Sequence, residues 1–298
     1  MKDWGLPMER MKTVHLVYFS GTGGTARVAA ALEQAFLGRG LTVTKTELDF
    51  RTPPQVDADL TLLVYPVYAA NAPLPVDEWI ERASSGNGKV AAVVSVSGGG
   101  EVTPNTACRV DVIRRLERKG YRVVGEEMFI MPANVFVAYD DVLSAMLLKA
   151  APLRAERFAD GILAGAGKRT KPHHLDRLFA KMFTVEKMKS GQFGKKLKAS
   201  GDCTGCAWCA SNCPRRNIEM KDGKPSFGDQ CVVCLRCVYG CPAKAIQPDV
   251  PKFFLLKQGL DLDALEERTK HMTEFPPASE VAKGLVYKGV RRYLEELQ

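Results

Sequence analysis

The sequence has no uninterrupted apolar run near the roughly 18 residues that a membrane-spanning helix requires, so no helical span is expected. Met1 to Arg10 lacks the apolar centre of a secretory signal, and a cytoplasmic location is the expectation. Cysteine is almost missing from most of the chain. Eight of nine cysteines fall between Cys203 and Cys241, which excludes a disulfide framework spread over the molecule and points to reduced, metal-binding thiols. No aromatic platform or nucleic-acid motif accompanies the basic residues, so nucleic acid is not an expected partner.

The formal charge of +8 is local. Lys168 to Ser200 holds ten basic residues against Asp176 and Glu186, so this stretch carries the whole excess and the remainder of the chain balances. Within it Leu175, Leu178, Phe179, Met182, Phe183 and Met188 recur at near-helical spacing, which predicts a short amphipathic basic helix. Its apolar stripe either packs back on a neighbouring domain or offers a docking face to an acidic redox protein.

Between Thr13 and Gly165, apolar strand-like runs alternate with amphipathic helix-like runs, the pattern of parallel βαβ units. Strands are predicted at His15–Phe19, Leu41–Glu47, Leu60–Tyr65, Val90–Val96 and Val123–Ile130. The runs at 60–65 and 90–96 are continuously apolar, as in central strands buried on both faces. Helices are predicted at Thr25–Leu37, Arg109–Lys119 and Asp140–Leu163, the last with a kink or break at Pro152. The fold expected is α/β, a doubly wound parallel sheet with strand order 2-1-3-4-5, plus a small α+β module. The expected domains are 11–165, a basic linker at 166–200, the cysteine-rich module at 201–249 and a helical extension at 250–298, with helix-like pieces at Asp261–Arg268 and Ala282–Leu297.

The cysteines form two runs, Cys203-x2-Cys206-x2-Cys209-x3-Cys213-Pro214 and Cys231-x2-Cys234-x2-Cys237-x3-Cys241-Pro242. Two-residue gaps let a tight loop wrap three corners of an iron-sulfur cubane, while a fourth thiolate arrives from elsewhere. Zinc sites also use Cys-x2-Cys, but as two pairs per ion, with no reason to repeat a triple followed by x3-Cys-Pro. The module resembles the bacterial two-cluster ferredoxins, with all eight ligand positions present and matching apolar residues at Ile218 and Ile246. That resemblance implies two [4Fe-4S] clusters with crossed ligation: Cys203, Cys206, Cys209 and Cys241 on one, Cys231, Cys234, Cys237 and Cys213 on the other. Cys108 stands apart, either a reactive thiol near a helix start or a small buried hydrophobe.

After the first strand comes Ser20-Gly21-Thr22-Gly23-Gly24-Thr25, which opens a helix. Hydroxyls at 20, 22 and 25, close backbone N–H groups and a helix N-terminus suit a phosphate. Neither the Gly-Lys-Ser/Thr of a P-loop nor the dinucleotide Gly-x-Gly-x-x-Gly is present. The loop resembles the flavodoxin phosphate loop, with Gly24 where many members have Asn. That resemblance implies FMN, with the flavin ring between two further loops: Pro66, Val67, Tyr68, Ala69 and Asn71 after the third strand, and Ser97, Gly98, Gly99 and Gly100 after the fourth. Tyr68 is placed either to stack on the ring or to pack as an ordinary aromatic. Asn134 lies in the turn after the fifth strand.

Taken together, Val14 to Gln247 resembles flavodoxin–ferredoxin fusion proteins. The resemblance implies an electron-transfer flavoprotein passing electrons between two clusters and FMN and to or from a redox protein partner. The alternative is an FMN-dependent reductase of a quinone or unsaturated compound.

Overall fold

The computed structural model describes residues 11–49, 57–249 and 254–297, so the reading of Met1 to Arg10 lies outside the described residues. Strands β1 (Thr13–Tyr18), β2 (Thr42–Glu47), β3 (Leu60–Pro66), β4 (Val90–Ser97) and β5 (Arg122–Ile130) form one parallel sheet. Their order is β2-β1-β3-β4-β5, that of a flavodoxin-like fold. β4 is buried along its whole length and β3 up to its last residue, which accounts for their unbroken Val, Leu and Ala content.

Helices α1 (Gly24–Leu37), α2 (Leu74–Arg82), α3 (Val110–Arg118) and α4 (Asp141–Leu163) cover the two faces. On one face Val28, Leu32 and Phe36 of α1 and Ala155, Phe158 and Ile162 of α4 pack on Leu16, Leu62 and Val94. On the other, Val76, Trp79 and Ile80 of α2 and Val112, Ile113 and Leu116 of α3 pack on Val17, Leu63 and Val93. The Asp140 carboxylate caps α4, accepting from Leu143 N at 2.8 Å. At Pro152, where a kink or break is expected, α4 runs on without a break. The missing hydrogen bond costs about 3 kcal/mol, and the burial of Leu147, Ala151, Ala155 and Ala159 on both sides of the proline offsets it.

The basic helix is present as α5 (His174–Met188), followed by α6 (Ser190–Lys195). Its orientation differs from the packed stripe. Leu175, Leu178, Met182 and Met188 are more than half exposed, whereas Asp176 is buried. Polar anchors set the rotation: Thr106 Oγ1 donates to Asp176 at 2.5 Å, Asn71 Nδ2 donates to Ala180 O at 2.9 Å, and Lys187 pairs with Asp77.

The cysteine-rich stretch contains β6 (Lys198–Ala199), α7 (Trp208–Ser211), β7 (Ile218–Lys221), β8 (Lys224–Phe227), α8 (Arg236–Tyr239) and β9 (Ile246–Gln247). β6 pairs antiparallel with β9, and β7 with β8. Leu197, Ile218 and Ile246 gather with Cys209 in a small core of their own. The chain then forms α9 (Leu262–Thr269), α10 (Ala278–Val281) and α11 (Lys288–Glu295). Ala278, Val290, Tyr293 and Leu294 pack on Leu143, Met146 and Leu147 of α4, and Arg27 of α1 pairs with Asp263 at 2.6 Å and Glu266 at 2.7 Å.

Candidate functional site

Because β1, β3 and β4 are adjacent and parallel, the loops that follow them emerge side by side at the carboxyl edge of the sheet, where open α/β folds bind ligands. The first, Ser20 to Thr25, turns sharply into α1, and Gly23 takes φ +95°, a left-handed conformation that favours glycine. Ser20 Oγ accepts from Ala26 N at 3.2 Å, which fixes the start of the helix. Among the described residues, the N–H groups of Gly21, Thr22, Gly23, Gly24 and Thr25 have no protein acceptor. They are the unpaired donors that a helix start presents to an anion. Asn134 Nδ2 donates to Thr22 Oγ1 at 3.1 Å, so the loop after β5 joins the same edge.

The second loop is a tight turn. Tyr68 and Asn71 exchange both backbone hydrogen bonds at 2.9 Å around Ala69 and Ala70, whose φ angles are +46° and +54°. Two alanines in a conformation that favours Asn-Gly store backbone strain of roughly 1 kcal/mol each. The Tyr68 ring stands edge-on to Phe19 at 6.4 Å. Its hydroxyl is buried without a hydrogen-bond partner, directly beside Gly21 and the Cys234 carbonyl, where a Cβ on Gly21 would strike both. The third loop is held firmly: Gly100 N donates to Ser97 Oγ at 2.8 Å, Tyr139 Oη to Gly98 O at 2.5 Å, and Gly289 of α11 abuts Gly99 and Gly100. A Cβ on Gly99 would meet open space.

The cysteines divide between two small cavities. One is lined by Cys213, Cys231, Cys234 and Cys237, the other by Cys203, Cys206, Cys209 and Cys241. In the first group burial pushes Cys234 up to about 12 and raises Cys231 and Cys237, and the nearby Cys213 adds to each. In the second, burial raises Cys209, with Cys241 and Cys203 contributing. Cys206 is exposed, and a hydrogen bond from the Trp208 backbone lowers its thiol. Thiolates so enclosed are costly without a compensating cation. Among the described residues no three His, Cys, Asp or Glu side chains close around one point as a single metal ion demands.

Several contacts at this edge come from residues the sequence reading did not single out. Arg236, inside the second cysteine run, donates to Ser20 O at 2.5 Å and Gly21 O at 3.2 Å and pairs with Glu47 at 2.5 Å. Tyr239 Oη donates to Asn134 O at 2.6 Å. Residues 215 positions apart in sequence leave no local pattern, and only the basic-aromatic spacing of Arg236 and Tyr239 on one short helix marks them. Away from the edge, Cys108 is buried, with its thiol raised by burial despite the neighbouring Arg109. Arg109 is itself 1% exposed and pairs with Glu126 at 2.6 Å, Ser95 at 2.7 Å and Thr170 at 2.8 Å.

No protein-family model and no curated protein sequence matches this chain. Solved structures with a similar course of chain include a flavodoxin from the domain Archaea, at 15% identity over 50% of this chain and 98% of that one, TM-score 0.37. The Streptococcus pneumonia TIGR4 flavodoxin is 20% identical over 51% of this chain and 98% of its own, TM-score 0.39. Rubredoxin oxygen:oxidoreductase from Desulfovibrio gigas is 14% identical, covers 54% of this chain and 39% of its own length, and scores 0.39. The flavodoxin-like assignment rests on the strand order itself.

Proposed function

We propose that this chain is an electron-transfer iron-sulfur flavoprotein, with FMN at the loops ending β1, β3 and β4 and a [4Fe-4S] cluster in each cysteine cavity. The observation that carries the reading is the division of the eight cysteines into two sets of four, each made of three from one run and the fourth from the other. A two-cluster ferredoxin requires this grouping, and a pair of zinc sites does not. In this reading the chain has the fusion-family organisation: a flavodoxin-like domain at 11–165, a basic linker at 166–200, a ferredoxin-like module at 201–249 and a helical extension at 250–298.

For FMN the fit rests on the unpaired N–H groups of the first loop and the hydroxyls of Ser20, Thr22 and Thr25. Tyr68 brings a buried hydroxyl that lacks an acceptor. Ser97 to Gly100 is pinned in place, so that a planar ring meets a rigid wall. FMN exchanges one or two electrons and iron-sulfur clusters exchange one, so the combination suits a converter between one-electron carriers and two-electron chemistry. A redox protein with an acidic face is the expected partner, because the basic α5 region presents exposed Leu175, Leu178 and Met182 beside Arg177 and Lys181.

The experiment is FMN titration of the anaerobically purified, flavin-stripped protein. Ser20→Ala combined with Thr22→Ala removes two hydroxyls and weakens FMN binding by about tenfold or more. Unchanged binding contradicts the phosphate assignment.

A further inference from the structure

The two cysteine cavities differ in their surroundings. Val232 and Cys234 belong to the same buried cluster as Val17, Phe19 and Tyr65 of the parallel sheet, so the loop carrying Cys231 and Cys234 is built into that core. The Cys234 carbonyl lies against Gly21, and the Tyr68 hydroxyl fills the gap between them. Arg236 completes the junction. Besides Ser20, Gly21 and Glu47, its guanidinium reaches Asn212 O at 3.4 Å, the residue before Cys213, so one side chain spans both cysteine runs and the ends of β1 and β2. By contrast, none of Cys203, Cys206, Cys209 and Cys241 belongs to that buried cluster, and Cys206 is exposed.

We infer that the two four-cysteine sites are ordered. The set Cys213, Cys231, Cys234 and Cys237 is the inner site, locked by Arg236 against the Ser20–Thr25 loop, and the set containing Cys206 is the outer site that faces a one-electron carrier. This rests on the cluster and FMN assignments above. Arg236 is a positioning residue with two separable effects. Its fork geometry aligns the loop carbonyls, and its positive charge stabilises the more negative reduced form of whatever the inner cysteines hold. Lysine keeps the second effect and loses the first.

The test uses the complete, anaerobically purified protein and follows the midpoint potential of each cluster by electron paramagnetic resonance, with FMN affinity measured in parallel. Cys234→Ser and Cys206→Ser identify which signal belongs to which site. Arg236→Gln is expected to lower the midpoint of the inner cluster alone and to weaken FMN about tenfold. Arg236→Lys is expected to restore the midpoint without restoring FMN affinity. Glu47→Gln, which removes the counter-charge, is expected to move the inner midpoint upward. Equal shifts at both sites, a shift confined to the Cys206 site, or no shift in either Arg236 variant overturns the inference. A protein that holds both clusters but no flavin defeats the FMN reading instead, and the cluster midpoints then still decide the order of the sites.

Discussion

His15 illustrates how a single side chain ties the sheet to solution conditions. It lies on β1 with its Nδ1 2.8 Å from Thr44 Oγ1 of β2, and burial holds its pKa below the ordinary histidine value. The neutral form is therefore favoured in the folded chain. Its contribution is complete above the unfolded pKa of about 6.5 and is lost as pH falls through the folded value. His15→Gln keeps a hydrogen-bonding group and removes the titration. The melting temperature of the wild type should fall more steeply than that of the variant between pH 7.5 and pH 5.5, as followed by circular dichroism. Parallel curves contradict the assignment.

At the scale of elements, the sheet was readable because its signals are local. The apolar runs of β3 and β4 occupy two-sided burial, and the glycines after Leu37 stop α1. Helix α2 went unread, although Val76, Trp79 and Ile80 have helical spacing behind Pro75, because its short run follows a proline-rich loop. The candidate site divides in the same way. The eight cysteines and the Ser20–Thr25 loop announce themselves by spacing, whereas Arg236 and Tyr239 act through partners far away in sequence. The rotation of α5 was illegible for a related reason: a buried Asp176 outweighs an apolar stripe once Thr106 bonds to it. Thr106→Val leaves that carboxylate buried and without its short hydrogen bond, which should destabilise the α5 contact by about 2–4 kcal/mol. Hydrogen exchange within 174–188 should then accelerate while the amides of β3 and β4 stay protected. Unchanged exchange in α5 contradicts the polar anchor.

For the whole molecule, the cysteine-rich part and the C-terminal helices converge on one edge of the sheet. Arg236 and Tyr239 approach from the first, and Gly289 of α11 and the acidic residues of α9 from the second. Charge belongs to this scale too. The basic excess lies in the 168–200 stretch, whereas the junction between sheet and cysteines is made of paired groups such as Arg236 with Glu47 and Arg215 with Glu78. The central claim is that one chain carries both kinds of redox group, and its most direct measurement is a count of iron, acid-labile sulfide, zinc and flavin in anaerobically purified protein. About eight iron, eight sulfide and one FMN per chain are predicted. Zinc in place of iron, or clusters without flavin, would contradict the account.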